Sequence, residues 1–474
     1  MEVLKESRCD MKLIEWIKGV IGKMFKSEAK KQYGINAILS TNMESAISAW
    51  YNIVAGNPEW IDKGDDIDTI NFAKFITTDT AKKVCLDIDI NIDGSKRAEY
   101  LQEVIDELKH TLRDKVEDAC ALGGIIFKPN GSTDANSCID YVQVTDFLIT
   151  EKTTNGDIRG AVFFDYRQNN DIYYTRMEYH RFINGNYVVS NKAFASRDKN
   201  TIGKEVSLAA VEVWSNLQPE ITIKNIDKPL FAYFKMPYNN TIDYNSPLGV
   251  SVFSNAIKEL RDLDIAWSRK SGEIEDSKHI TFVDQSTMMY ADQNNVTLPR
   301  FVKAIDFEKE SQSVREHVAT LLTDDRIKDI NSILSMISTK CGFSQGQFIL
   351  DRKTGQITAT QVEADDRETI ETIKDIRDNL KVALEQLIYA LDVYASLYDY
   401  APLGNYETSY AFGDLTYNWE EDRARHWTYV TMGKYPLYRY YMKFEGMSEE
   451  EAKKTVAEAQ GEQTQDKDNL FEKE

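Results

Sequence analysis

Residues 323–362 read TDDRIKDINSILSMISTKCGFSQGQFILDRKTGQITATQV, and their reading decides between two folds. The centre, GFSQG at 342–346, fits the G-x-S-x-G pattern of a serine-hydrolase nucleophile elbow with Ser344 as nucleophile. An elbow needs a strand, a tight turn and then a helix, because that order lifts the serine oxygen above a sheet. Here the order is reversed. Ile327, Ile330, Ile333, Leu334 and Ile337 recur at the spacing of one helical face. Thr323 is the expected N-cap, and Asp324 and Asp325 suit a first turn. Cys341-Gly342 reads as the helix end, with Gly342 left-handed just beyond it. QFIL and QIT then flank DRKTG as a short extended pair around a turn, and His426 is the only histidine downstream. The stretch is a helix running into a hairpin.

Working outward, PLGVSVFSNAIKELRDLDIAWSRKSGEIEDSKH spaces Phe253, Ala256, Ile257, Leu260, Leu263 and Trp267 as one helical face, predicting a helix over about 249–277. Two helices thus bracket a small mixed segment, 280–322, as a stalk brackets a head. Downstream, Ile373, Leu380, Leu387 and Tyr394 repeat every seven residues, the mark of one long helix lying on a domain or of a short coiled coil. Thr358 with Gln361 and Thr360 with Glu363 offer overlapping capping boxes at its start. Upstream, residues 138–240 hold strand-forming runs: YVQVTDFLIT, GAVFFDY, DIYYTRMEYHRFINGNYVVS, AVEVW and PLFAYFKM, with NGN at 184–186 as a hairpin turn. Residues 37–120 are mainly helical around one alternating strand, VCLDIDINIDG. That strand nearly matches a calcium loop at Asp89, Asn91, Asp93 and Gly94, but Tyr100 stands where the closing Glu belongs. The fold class is α+β.

Composition narrows the function. The chain has 474 residues and a formal net charge of -20, from 57 Lys and Arg against 77 Asp and Glu. Tight grip on nucleic acid through phosphates needs the opposite sign. No apolar run approaches the roughly 18 to 20 residues of a membrane span. MKLIEWIKGVIGKMF at 11–25 is an amphipathic helix, suited to docking on the body, on a neighbouring subunit or on a membrane surface. Glu15 and Lys18 interrupt it where a signal peptide would need an apolar core. Cys9, Cys85, Cys120, Cys138 and Cys341 are scattered, which fits a reducing cytoplasm. Nucleotide-binding and zinc-protease motifs are absent, and His110, His180, His279, His317 and His426 do not cluster in sequence. No catalytic residue, metal or cofactor is expected, and the chain is not expected to be an enzyme.

TATQV at 358–362, after a glycine-bearing hairpin, resembles the T-A-T-E-V signature that opens the long helix in portal proteins of tailed bacteriophages, in the group from Gram-positive hosts; Gln361 stands where Glu is usual. AWYNIVAGNPEW, VQVTDFLITEKTTNGDIRGAVFF, MEYHRFINGNYVVSN, PLFAYFKMPYNNTIDYNSPLGVSVFSNAIKELRDLDIAWS and GMSEEEAKK are similar in order and spacing, from about 11 to 455. The resemblance implies an N-terminal arm at 1–36, a wing at 37–251, stem helices at 252–278 and 323–341, and a clip at 279–322. It further implies a tunnel loop at 342–358, the long helix and rest of the wing at 359–426, and a crown with a disordered tail at 427–474. It implies a ring, commonly of twelve subunits, at one capsid vertex of the virion, assembled in the host cytoplasm. Double-stranded DNA would pass through it without sequence specificity. The implied partners are the large terminase or packaging ATPase, the major capsid protein and scaffold, and a head-completion or adaptor protein. In the tunnel loop, Gln347, Arg352, Lys353, Thr354 and Gly355 would face the channel, with Gly342 and Gly346 as hinges. The adjacent cations Arg352 and Lys353 are the expected phosphate contacts, the alternative being that they only neutralise acidic neighbours on the adjacent subunit. The competing readings are a minor head structural protein, or a hydrolase or nuclease.

Overall fold

The computed structural model describes residues 27, 30–35, 38–61, 67–132, 134–198, 201–276, 280–284, 302–305, 314–317, 322–350, 366–413, 419–432 and 434–457. The predicted amphipathic helix at 11–25, the capping boxes at 358–363 and the tail from 458 lie outside these residues. Near the amino end, α1 (Thr41–Val54) starts where the Ser40 hydroxyl accepts from the Met43 N–H. It is followed by α2 (Phe72–Val84), the short strand β1 (Asp89–Asp93) and the 27-residue α3 (Lys96–Leu122). Leu101, Val104, Ile105, Leu108, Leu112 and Val116 form the buried stripe of α3, the period expected of a helix with one face inside. Ile90 and Ile92 alternate inward on β1, whose exposed Asp89 faces Lys109 at 3.4 Å and accepts from Asn91 at 2.8 Å. The near-calcium pattern is therefore one face of a strand.

The sheet region divides in two. β2 (Gly124–Pro129) is central in a three-stranded sheet, between β3 (Ile139–Gln143) and β10 (Ala232–Lys235). The larger antiparallel sheet runs β4 (Phe147–Lys152), β5 (Ile158–Asn169), β6 (Ile172–Ile183), β7 (Asn186–Ser196), with β8 (Lys204–Val206) and β9 (Glu220–Ile223) sharing the far edge of β7. Asn184 and Gly185, both at positive φ, turn β6 into β7, as NGN predicts. AVEVW, expected as a strand, instead forms 3-10 turns at Leu208–Ala210 and Glu212–Trp214. Burying Trp214 beside Ala193 and Leu208, with its indole N–H on Asp165 at 2.9 Å, takes precedence over strand propensity.

Past β10 the chain enters α4 (Ile257–Asp276), then β11 (Ile280–Asp284), β12 (Val302–Ile305) and β13 (Val314–His317), and returns in α5 (Thr323–Lys340). In this small sheet β11 is central, parallel to β12 and antiparallel to β13. The first helix was expected from 249 or 252; it begins at Ile257, after a 3-10 turn at Ser254–Ala256. The backbone before it is already committed, because the Val252 N–H donates to the Cys120 carbonyl at the end of α3 (3.0 Å). Thr323 is not the N-cap of α5 but its first residue; Leu322 precedes it, and the carboxylate of Glu273 on α4 accepts the Leu322 N–H at 2.8 Å.

The long helix is α6 (Arg367–Leu397), followed by β14 (Glu407–Ala411), which pairs with β1. Ile373, Leu380 and Leu387 are fully buried and α6 packs across β10 and β2, so the seven-residue repeat marks a helix lying on its domain. Buried Arg377 donates to the Val84 and Lys83 carbonyls at 3.0 and 2.8 Å, satisfying the orphan end of α2. The described residues through Phe412 form one compact unit, and those from Gly413 form a second. In the second, α7 (Trp419–Thr431) and α8 (Leu437–Phe444) pack through Trp427 on Tyr440 and through His426 between Tyr435 and Phe444.

One buried polar network joins the two sheets. Lys128 on β2 reaches Glu178 on β6 at 3.0 Å, and Arg176 reaches the same carboxylate at 3.0 Å. His180 Nε2 lies 2.7 Å from Glu178, and its Nδ1 lies 2.7 Å from the Tyr187 hydroxyl, which accepts the Leu230 N–H at 3.0 Å. A carboxylate only accepts, so Nε2 carries the imidazole proton and Tyr187 donates to Nδ1. Burial alone would push the Glu178 carboxyl up, but Lys128 and Arg176 outweigh it and hold it well below the usual range. Burial, aided by the same two cations, pulls the His180 imidazole down against the attraction of Glu178. The unfolded chain therefore takes up a proton near pH 6.5 that the folded chain refuses, and stability falls as pH drops below about 6.5. We predict that unfolding free energy, measured by denaturant titration between pH 7.5 and 5.5, falls with a slope approaching about 1.4 kcal/mol per pH unit from this residue. His180→Gln should flatten the slope; an identical slope in both proteins would contradict the assignment.

Candidate functional site

The site is the root of the predicted tunnel loop, Gly342 to Leu350, where the chain leaves α5. Gly342 stands at φ 78°. Its N–H donates to the Thr339 carbonyl at 3.1 Å and the Phe343 N–H to the Ser338 carbonyl at 2.9 Å, the two bonds that close a helix through a left-handed residue. An added Cβ here would also come within 2.9 Å of the Thr372 hydroxyl oxygen, and that hydroxyl donates to the Gly342 carbonyl. Glycine is required twice, by φ and by space. Four residues on, the Gln347 N–H donates to the Ser344 carbonyl at 3.0 Å around Gly346 at φ 93°. That is a turn with its third residue left-handed, where glycine is favoured.

Ser344 lies inside this turn, 3% exposed. Its oxygen accepts from the N–H and the hydroxyl of Thr369 on α6, both at 3.2 Å, and its own N–H donates to the Thr369 oxygen at 2.9 Å. Among the described residues the hydrogen bonds of its hydroxyl all go to Thr369, and it follows a helix, so the hydroxyl acts as a clasp between loop root and long helix. Tyr238 donates to the Cys341 carbonyl at 3.0 Å, and the Leu350 N–H donates to Asn331 on α5 at 2.9 Å. Phe348 closes the root from the side, 5.5 Å from the ring of Phe343, 5.5 Å from Phe72 and 5.9 Å from Phe75. Burial pushes the neighbouring Cys341 thiol up to about 12, so it is no ready nucleophile.

Of the residues singled out in the sequence, Gly342, Gly346 and half-buried Gln347 come together in this clamp. Arg352, Lys353, Thr354 and Gly355 lie outside the described residues. Sequence reasoning missed Thr369, Thr372, Tyr238, Asn331 and the Phe72–Phe75 pair. Thr369 and Thr372, three apart and so on one helical face, were the one local signal available. Among the described residues, no group of His, Cys, Asp and Glu is placed to hold a metal ion, and no helix is long and apolar enough to cross a membrane.

No family model and no curated protein matches the chain. Among solved structures it is similar to a chain in the virion of a native gene transfer agent particle, with a TM-score of 0.40 and 8% identity over 85% of this chain and 93% of that chain.

Ser344→Ala strands the buried N–H and hydroxyl of Thr369, and Thr369→Val removes that hydroxyl and leaves the Ser344 N–H without its acceptor; each should cost about 1–2 kcal/mol in unfolding free energy. The double variant should lose clearly less than the sum, since the two share one interaction. Strict additivity in a denaturant-unfolding cycle would contradict the clasp.

Proposed function

We propose that this chain is a portal subunit: one segment of a ring at a capsid vertex through which double-stranded DNA enters and leaves the particle. The observation that carries the reading is the path of the chain through α4, the small sheet, α5 and the clamped root. The antiparallel pair, 20 and 18 residues long, corresponds to about 30 and 27 Å at 1.5 Å per residue. It leads the chain out to the small sheet and back to a fixed point. There, two left-handed glycines and the Ser344–Thr369 clasp fix the root as far as Leu350. In this reading the helix pair is the stem, the small sheet is the clip that docks the packaging ATPase and the head-completion protein, and the departing segment is the channel loop. The ordered sequence similarity from about 11 to 455 supports the same assignment. The net charge of -20 fits a channel that DNA must traverse without sticking, because an acidic wall repels phosphate.

The test is the mass of the purified chain in native mass spectrometry. The expected result is one large closed multiple of the 54.4 kDa subunit, with an axial hole in negative-stain images. A monomer at micromolar concentration and moderate salt would contradict the proposal. The channel loop carries a second expectation. Arg352→Ala combined with Lys353→Ala should leave rings and empty heads intact while shortening the packaged DNA or weakening its retention. Heads that fill and hold full-length DNA as the unaltered protein does would rule out phosphate contact by these two cations.

A further inference from the structure

The two stem helices carry unlike outward faces. On α4, Lys258, Arg261, Ile265 and Arg269 recur at i, i+3, i+7 and i+11, so they lie along one face; the three cations are exposed, Ile265 is half-buried, and half-buried Asp262 shares the face, which stays net basic. On α5, Asp325, Asp329, Ser332 and Met336 recur at i, i+4, i+7 and i+11; all four are exposed, and Met336 is 51% exposed. Among the described residues, Arg261, Arg269 and Asp329 have no ion-pair partner. The contacts inside the pair set the levels of the two helices. Glu273 meets Leu322 and Arg326 near one end, and Lys340 meets Glu259 at 2.6 Å near the other. Counting between these points, Arg269 is level with Asp329, and Met336 falls between the levels of Ile265 and Arg261.

We infer that the basic face of α4 docks on the acidic, methionine-bearing face of α5 of a second copy of this chain. The inference rests on the ring reading, with the helix pair running along the ring axis. A rotation about that axis moves a residue sideways without changing its height, so residues level within one subunit are level between neighbours. Arg269 then meets Asp329 of the next copy, and Ile265 covers Met336. Because the contact is head-to-tail, each subunit offers one face to each neighbour and the chain of contacts closes. Charge supplies the complementarity. Copies with a net charge of -20 repel one another, and an exposed basic stripe on such a chain finds its matching surface on the acidic α5 of another copy. One exposed pair is weak, so reversing a charge acts by adding repulsion at every interface of the ring.

The experiment is a charge swap read by native mass spectrometry, with circular dichroism on each variant. The unaltered chain should assemble; Arg269→Glu and Asp329→Arg should each lower the assembled fraction at least tenfold, with helicity unchanged. The double variant should recover assembly, and raised salt should weaken the unaltered ring. If the unaltered chain forms rings and the single variants form them equally well, the docking inference is wrong while the ring reading stands. Loss in both single variants without recovery in the double would also overturn it. An unaltered chain that stays monomeric overturns both.

Discussion

The antiparallel α4–α5 pair is closed by charge at both ends, and that closure fixes where the chain leaves α5 for the clamped root. At the outer end, Glu273 accepts the backbone N–H that would otherwise be orphaned at the start of α5 and also pairs with Arg326 at 3.0 Å. At the inner end, Lys340 reaches Glu259. The base of α4 is anchored separately. Asp264, 3% exposed, accepts the Trp60 indole N–H at 3.0 Å and the Ile70 N–H at 3.1 Å, which keeps a polar group satisfied where burial pushes its carboxyl up. With α4 anchored and α5 registered on it, the point at which the chain leaves α5 is fixed in the domain. The clamp at Gly342–Leu350 depends on this, because Thr369 and Thr372 on α6 can reach the root only if α5 ends where it does.

The two β-sheets of the first unit solve a different problem. Two sheets meet across a charged seam, with Lys128 on one and Arg176, Glu178 and His180 on the other. Burying these groups is costly, and the cost is offset because each is paired or hydrogen-bonded. The neutral imidazole carries the chain of donors from Glu178 to Tyr187 and on to the Leu230 backbone, so the approach to β10 is keyed to β6 and β7. A purely apolar seam would hold the sheets together without selecting this register.

What the sequence made legible followed from local rules. The periodicity of 323–340, the left-handed end at Gly342, the NGN hairpin and the seven-residue repeat of the long helix all need only neighbours along the chain. What it hid is tertiary. The start of α4 is decided by Cys120, 132 residues before Val252 in the chain and bonded to its N–H. The N-terminus of α5 is satisfied by Glu273 and not by Thr323. AVEVW has strand-forming residues, yet one buried indole turns it into 3-10 structure. The clasp that defines the candidate site pairs Ser344 with a threonine 25 residues away, and no spacing rule points to it. The hydrolase pattern at GFSQG misleads for the same reason: two glycines flanking a serine specify a backbone shape, and here the shape serves a turn.

The central proposal is that this chain forms a ring in which residues 351–365 face an axial channel. Electron cryomicroscopy of the assembled protein tests it most directly, because it places the stem helices and the loop relative to the symmetry axis. The account predicts a closed ring with α4 and α5 running along the channel wall, the Ser344–Thr369 clasp intact, and Arg352 and Lys353 facing the lumen. A ring in which the loop leaves the root toward the outer surface, or an open assembly without an axis, would contradict it.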